Sequence, residues 1–258
     1  MNHSRILVVD DEPQLRRALK STLSALGFLV SDADTGERAL EMLRSEKFDL
    51  MLLDINMPGL DGIETCRAVR AKSEMGIVML TVRGRAEDKI RALDSGADGY
   101  VTKPFDVNEL LARIRATLRR TPASAPGESR IFCPEGVEIN FKDRQVTVFA
   151  TPSGGSGHTT RLTPKEAELL HYLVTNPNQV LSHERILQAV WGPDYGGEVE
   201  YLRVFVNQLR KKIESEPSRP HLLLTEPWLG YRFVLREEHA AAQPELDRSR
   251  NTRPPDEF

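Results

Sequence analysis

The chain has 258 residues, with 35 lysines and arginines against 38 aspartates and glutamates, a formal charge of −3, and two cysteines. That length exceeds what one hydrophobic core usually serves, so two domains are expected. The charge excludes a globally polycationic nucleic-acid binder, and Cys66 and Cys133 are too few and too far apart for a disulfide framework or a thiolate metal site. No apolar run reaches the ~18 residues of a membrane helix, and no signal-peptide core precedes the first acids. A cytoplasmic, reduced protein without a membrane partner is expected.

Residues 6–9 form an apolar run that ends in Asp10-Asp11-Glu12. Residues 12–26 carry Leu15, Ala18, Leu19, Thr22, Leu23 and Leu26 at helical spacing, and Gly27 is a natural stop. A strand at 28–33 and a helix at 36–45 follow. The stretch 48–53 is apolar without alternation, as in a strand buried on both faces of a parallel sheet. It delivers Asp54 into turn-forming residues, Asn56, Pro58, Gly59 and Asp61-Gly62. Further helices are predicted at 63–71, 87–95 and 107–120, the last with Asp106 and Glu109 at capping-box spacing. Between them, strands at 77–80 and 100–102 end in Thr81 and in Lys103-Pro104. Strands alternating with helices five times predict an α/β fold with a doubly wound, five-stranded parallel sheet of flavodoxin-like type.

In a parallel sheet the carboxyl ends of the strands lie side by side, where such folds bind ligands. Taken singly, Asp54 would be a turn-opening acid, Lys103 an exposed lysine and Thr81 a strand residue. Together, three carboxylates, a hydroxyl and an ammonium suit a hard divalent ion and a phosphoryl group. Mg²⁺ takes one or two carboxylates plus phosphate and water, and Thr and Lys supply donors for phosphoryl oxygens.

At these positions residues 4–120 resemble the receiver domain of two-component response regulators: DDE after the first strand, D-x-x-M-P-G-x-D-G after the third, Thr after the fourth and K-P-F after the fifth. The resemblance implies that Asp54 accepts a phosphoryl group from a sensor histidine kinase. It implies that Asp10, Asp11, Asp54 and the backbone carbonyl of Asn56 hold Mg²⁺, with Asp11 the more direct ligand of the first two. Thr81 and Lys103 would contact the phosphoryl oxygens, Tyr100 would turn inward with Thr81 on phosphorylation, and the Lys103-Pro104 bond would be cis. Phosphorylation would favour a homodimer through the fourth helix, fifth strand and fifth helix, with Lys89, Asp98, Glu109 and Arg113 in the cross-subunit ion pairs. One departure stands out: Gly99 replaces the second acid usual after Asp98, which leaves Arg113 without its expected partner.

Residues 122–130 are Pro-, Ala- and Ser-rich and read as a flexible linker between a receiver at 1–121 and a second domain at 131–236. Residues 122–236 hold 13 basic and 13 acidic side chains, so any DNA contact must come from a local patch. Short strands at 137–139 and 145–149 precede a flexible connection at 153–157, read as a lengthened hairpin turn. Thr163, Pro164 and Glu166 mark a helix start. Ser182 caps a second helix that runs to Trp191, and residues 198–215 form a third. Leu202, Phe205, Val206, Leu209 and Ile213 share its core face, with Arg203, Asn207, Arg210 and Lys211 opposite. Strands at 222–225 and 231–235 flank a Pro-Trp-Leu-Gly turn.

Three helices, the last basic, followed by a hairpin predict an α+β winged helix-turn-helix. The segments LTPKEAELL, VLSHERIL, YLRVFVNQLRKKIE and LGYRF resemble the effector domain of the OmpR/PhoB family, and within it a regulator of potassium-transport genes. The resemblance implies a transcriptional regulator rather than an enzyme, with double-stranded DNA and RNA polymerase as partners. On that mapping Val204 and Gln208 face base edges, Gln to adenine and Val to a thymine methyl. Tyr201, Arg203, Arg210, Lys211 and Lys212 would mainly grip phosphates, and Asn207 lies on the same DNA-binding face. At the wing tip, Trp228 stands where the family often carries an arginine, and packing or stacking is expected of it instead of minor-groove reading. Residues 237–258 are polar and aperiodic and read as a disordered tail. Two alternatives remain open: a DNA binder with a vestigial receiver, and an aspartyl-phosphate phosphohydrolase, against which Asn56 stands where such enzymes carry a second aspartate.

Overall fold

The computed structural model describes residues 4–82, 86–119, 130–133, 135–149, 157–193 and 195–235. The expected linker up to residue 129, the turn at 153–156, the Lys89 side chain and the tail at 237–258 lie outside the described residues. No helix among them is long and apolar enough to cross a membrane.

The first half alternates strand and helix: β1 (Arg5–Val9), α1 (Pro13–Ala25), β2 (Leu29–Ala33), α2 (Gly36–Ser45), β3 (Leu50–Asp54), α3 (Gly62–Arg70), β4 (Gly76–Val82), α4 (Ala86–Asp94), β5 (Gly99–Lys103) and α5 (Val107–Leu118). The sheet is parallel in the order β2-β1-β3-β4-β5. Its apolar strands are apolar on both sides because both are covered. Leu7, Val9, Met51, Leu53, Ile77 and Met79 pack with Ile63, Cys66 and Val69 of α3 on one face. Their neighbours Ile6, Val8, Leu50, Leu52, Val78 and Leu80 pack with Leu19 and Leu23 of α1 and Leu110 and Ile114 of α5 on the other. Each such side chain removed from water stabilises the fold by roughly 1.5–3 kcal/mol.

The second half holds a four-stranded antiparallel sheet, β6 (Arg130–Cys133), β7 (Val137–Asn140), β8 (Gln145–Phe149) and β9 (Gly157–Arg161). Three helices follow, α6 (Pro164–Val174), α7 (His183–Trp191) and α8 (Val199–Ile213), with the two-residue strand β10 (Leu181–Ser182) between the first two. The closing strands β11 (Leu223–Glu226) and β12 (Gly230–Phe233) pair with each other, and β12 also with β10. Strands β6, β9 and β10 were not legible in the sequence. β9 reads GHTTR, with no apolar alternation, and exists because it pairs with β8. The Thr163 capping box is formed, and Ser182 accepts from the Arg185 N–H as the cap of α7. Asp106 caps α5 by accepting from the Asn108 N–H at 2.7 Å, while Glu109 lies 3.9 Å from Arg113.

Candidate functional site

Register decides the first constellation. β1 pairs with β3 so that Val9 faces Leu53, which sets Asp10 beside Asp54 one residue further on. Thr81 and Lys103 leave the ends of β4 and β5 on the same edge. From there Lys103 reaches back across the sheet: its Nζ lies 2.7 Å from Asp10 Oδ2 and 2.6 Å from Asp54 Oδ1. Asp10 is fully buried and Asp54 nearly so. The Glu12 N–H donates to Asp10 Oδ1 at 2.9 Å and the Asn56 N–H to Asp54 Oδ2 at 3.0 Å. Asp11, Glu12 and Asn56 are exposed at the rim. The Lys103-Pro104 bond is cis.

Burial pushes the Asp54 carboxyl above the ordinary aspartate range, more than the Lys103 hydrogen bond and charge pull it down. Burial alone would lower the Lys103 ammonium, but its hydrogen bonds to Asp10 and Asp54, and their charges, raise it overall. One cation thus serves two buried carboxylates, and the pocket keeps an excess of negative charge. Thr81 is fully buried, and its Oγ1 has no hydrogen-bond partner among the described residues. An unpaired buried hydroxyl costs about 1–3 kcal/mol, a cost that an incoming oxygen acceptor would remove. Gly62 closes the floor, since a Cβ there would collide with the Asp54 carbonyl oxygen.

The donor set fits a hard divalent ion: carboxylates and a backbone edge, with no thiolate or imidazole. Among the described residues no group of three or more His, Cys, Asp or Glu converges as a metal cage. Mg²⁺ does not require one, because it completes its shell with water and phosphate oxygens.

The second constellation is helix α8. Arg203, Asn207 and Lys211 are exposed on it, Val204 and Gln208 half-buried. Arg210 donates to the Leu223 carbonyl at 2.7 Å and to Thr225 Oγ1 at 2.7 Å, which ties α8 to the wing. Lys212 donates to Glu166 at 2.5 Å and to the Arg161 carbonyl at 3.0 Å. Tyr201 is buried, and its hydroxyl donates to the Asp98 carbonyl. At the wing tip Trp228 has φ +67° and is 97 % exposed. It does not pack on the domain, because the tight turn at the head of β12 points its side chain outward.

Two of the residues expected at a dimer face have partners within the chain. Asp98 is buried and turned inward, its carboxylate paired with Arg70 and accepting from the Ile77 N–H at 2.8 Å. Arg113 lies 2.7 Å from Glu198 and stacks 3.9 Å above the Tyr195 ring. The partner that Gly99 withholds from Arg113 is therefore supplied by the second domain. Tyr195, Glu198 and Trp191 carry no local signal that could have paired them with the first half.

Two comparisons with protein families fit these sites. Residues 6–115 match the family described as response regulator receiver domain, and residues 157–233 the one described as transcriptional regulatory protein, C terminal. The chain belongs to the OmpR/PhoB family of two-component response regulators, and it is a DNA-binding transcription regulator of that class. It is 39 % identical over 228 residues, 88 % of this chain and 98 % of the relative, to the transcriptional regulatory protein KdpE from two strains of Mycobacterium tuberculosis. Among solved structures, a RitR mutant covers 90 % of this chain and 100 % of its own at 24 % identity with a TM-score of 0.67, a likeness of fold. DrrB of Thermotoga maritima, an OmpR/PhoB homolog, covers 90 % of this chain and 99 % of its own at 29 % identity, TM-score 0.47.

Proposed function

We propose that the chain is switched by phosphorylation of Asp54 by a sensor histidine kinase and then binds DNA as a dimer. The observation that carries this reading is Lys103 held on both Asp10 and Asp54 beside the Thr81 hydroxyl, which has no partner among the described residues. An Asp54 carboxylate oxygen attacks the phosphorus of a phosphohistidine. The new O–P bond forms as the P–N bond breaks, and the electron pair returns to the imidazole nitrogen, which takes a proton from solvent. Lys103 neutralises charge on the phosphoryl oxygens, and Thr81 donates its hydroxyl to one of them. Asp10, Asp11, Asp54 and the Asn56 carbonyl would hold Mg²⁺, which would offset the charge of the phosphoryl group. Tyr100 follows Thr81 inward.

The chain divides at the linker 122–130 into a receiver and a winged helix-turn-helix, works in the cytoplasm, engages RNA polymerase and is not itself an enzyme. Gln208 and Val204 read bases, while the exposed Arg203 and Lys211 hold phosphates and Asn207 lies on the same face. The likeness to KdpE supports potassium-transport genes as the target.

The test is DNA binding across a panel of random duplexes, with and without beryllofluoride plus Mg²⁺. The mimic is expected to tighten binding to paired sites, and Asp54→Ala to abolish the gain. Equal binding in both states would overturn the switch and leave a phosphorylation-independent regulator.

A further inference from the structure

Asp10 is gripped at every polar atom. Its N–H donates to the Ala33 carbonyl of β2 at 3.2 Å, and its carboxylate takes the Glu12 N–H and the Lys103 ammonium. The remaining atom, the Asp10 carbonyl oxygen, accepts from Arg16 Nη1 at 2.6 Å. Arg16 stands in the opening turn of α1. Its Nε lies 3.5 Å from Asp32 Oδ2 of β2, and Lys20 sits 2.7 Å from the other oxygen of that carboxylate. Neighbouring residues of β2 thus hold both sides of Asp10, Ala33 directly and Asp32 through Arg16.

The guanidinium is not placed as a stabilising ion pair alone would place it. Arg16 is only 14 % exposed, and its buried Nε has no hydrogen-bond partner among the described residues. A buried donor left unpaired is a cost, yet the same side chain spends its short bond on a main-chain oxygen. That oxygen belongs to the peptide group joining Asp10 to Asp11, whose plane sets the direction in which Asp11 leaves the chain. Asp11 is exposed, with no core around it, and the Glu12 side chain makes no cap hydrogen bond at the start of α1. What remains to orient Asp11 is that peptide plane.

We propose that Arg16 is a positioning residue for the divalent cation: by holding the Asp10–Asp11 peptide through its carbonyl oxygen, it presets the Asp11 carboxylate for Mg²⁺. The inference rests on the reading of this strand edge as a Mg²⁺ site. Outer groups that orient the ligands of a metal carry roughly 10–100-fold of its affinity. The sign of the effect separates this role from plain electrostatics. A guanidinium near the pocket repels a cation, so on charge alone its removal should strengthen Mg²⁺ binding. On positioning, its removal weakens binding.

The test is Mg²⁺ titrated by calorimetry into the full chain, as wild type and as Arg16→Met, whose side chain keeps much of the volume and donates nothing. The variant is expected to bind Mg²⁺ about tenfold more weakly. Arg16→Lys, which returns a cationic donor to the Asp10 carbonyl, should recover most of the loss. Lys20→Met removes a like charge paired with Asp32 and should leave the affinity level or slightly higher. Raising Mg²⁺ should bring phosphorylation of Arg16→Met by acetyl phosphate back toward the wild-type rate, as a loss of metal binding alone requires. Unchanged or tighter binding by Arg16→Met, an equal loss in Lys20→Met, or a rate that stays low at saturating Mg²⁺ would overturn the proposal. Arg16→Gln, too short to span Asp10 and Asp32 together, covers the case in which the methionine variant fails to fold; it should bind Mg²⁺ more weakly, and unchanged affinity counts against the role. If wild type takes up no Mg²⁺, the metal reading of the pocket falls and the inference with it; if wild type and variant bind alike, only the role of Arg16 falls.

Discussion

Lys103→Met isolates the electrostatics of the phosphoacceptor pocket. The two carboxylate oxygens that share the ammonium are each within 2.7 Å of it, at 2.7 and 2.6 Å, so they lie no more than about 5.3 Å apart. With the cation gone, two unit charges at that separation repel by about 3 kcal/mol at an effective dielectric near 20. Methionine fills much of the volume of the lysine stem, so packing loss is small beside this. The variant is expected to lose about 3 kcal/mol at pH 7, roughly 10 °C in the midpoint of receiver unfolding. The sign with pH follows from Asp54, whose folded-state pKa is already raised by burial and rises further without Lys103. A raised acid contributes stability that is present below its unfolded pKa and lost as pH rises through the folded one. The deficit against wild type should therefore open as pH rises from about 4 and be largest near neutrality. Urea denaturation across that range, with and without millimolar Mg²⁺, measures it. Mg²⁺ should recover most of the loss, and Asp54→Asn in the same background should do so without the ion. A variant as stable as wild type at pH 7, or one indifferent to both rescues, would refute the shared-cation account.

Other outcomes follow from the second half. Glu214 accepts from the backbone N–H groups of His221, Leu222 and Leu223 at 2.9, 3.0 and 2.8 Å and so fixes the entry to the wing. Glu214→Ala leaves the buried Leu222 and Leu223 donors unpaired and should cost roughly 2–6 kcal/mol, with Glu214→Gln losing less; buried Trp191 fluorescence in urea reports it, and a loss under about 1 kcal/mol for alanine counts against this role of Glu214. On DNA, Lys211→Ala should lower the slope of log affinity against log salt by about 0.9. Gln208→Ala should leave that slope alone and narrow discrimination at one base position by about 1–3 kcal/mol; a changed slope with intact specificity would reverse their roles.

The receiver was legible in the sequence because its chemistry is carried at strand ends. Apolar runs of β1, β3 and β4 state their own burial, and the residue that ends each run must fall on the carboxyl edge once the sheet is parallel. Asp10, Asp54, Thr81 and Lys103 could be placed that way before any coordinate. Helices α6 and α7 announced themselves through Thr163, Pro164 and Ser182, whose caps are local. β6, β9 and β10 did not, since their residues become strands only through the partners they meet. The free Trp228 was missed for a related reason: whether a turn residue packs depends on a backbone conformation that no periodicity records.

What the sequence determined by itself is therefore the order of elements, the faces they bury and the groups held at the ends of strands, because these follow from short-range preference and the period of apolar residues. Only the tertiary structure decided that one ammonium spans two carboxylates, that Arg113 meets Glu198, and that Gly99 opposes Tyr201. Those contacts join residues 93, 85 and 102 positions apart. The first depends on how strand ends meet across one sheet and the other two on how the domains come to rest, which the spacing of residues along the chain does not encode.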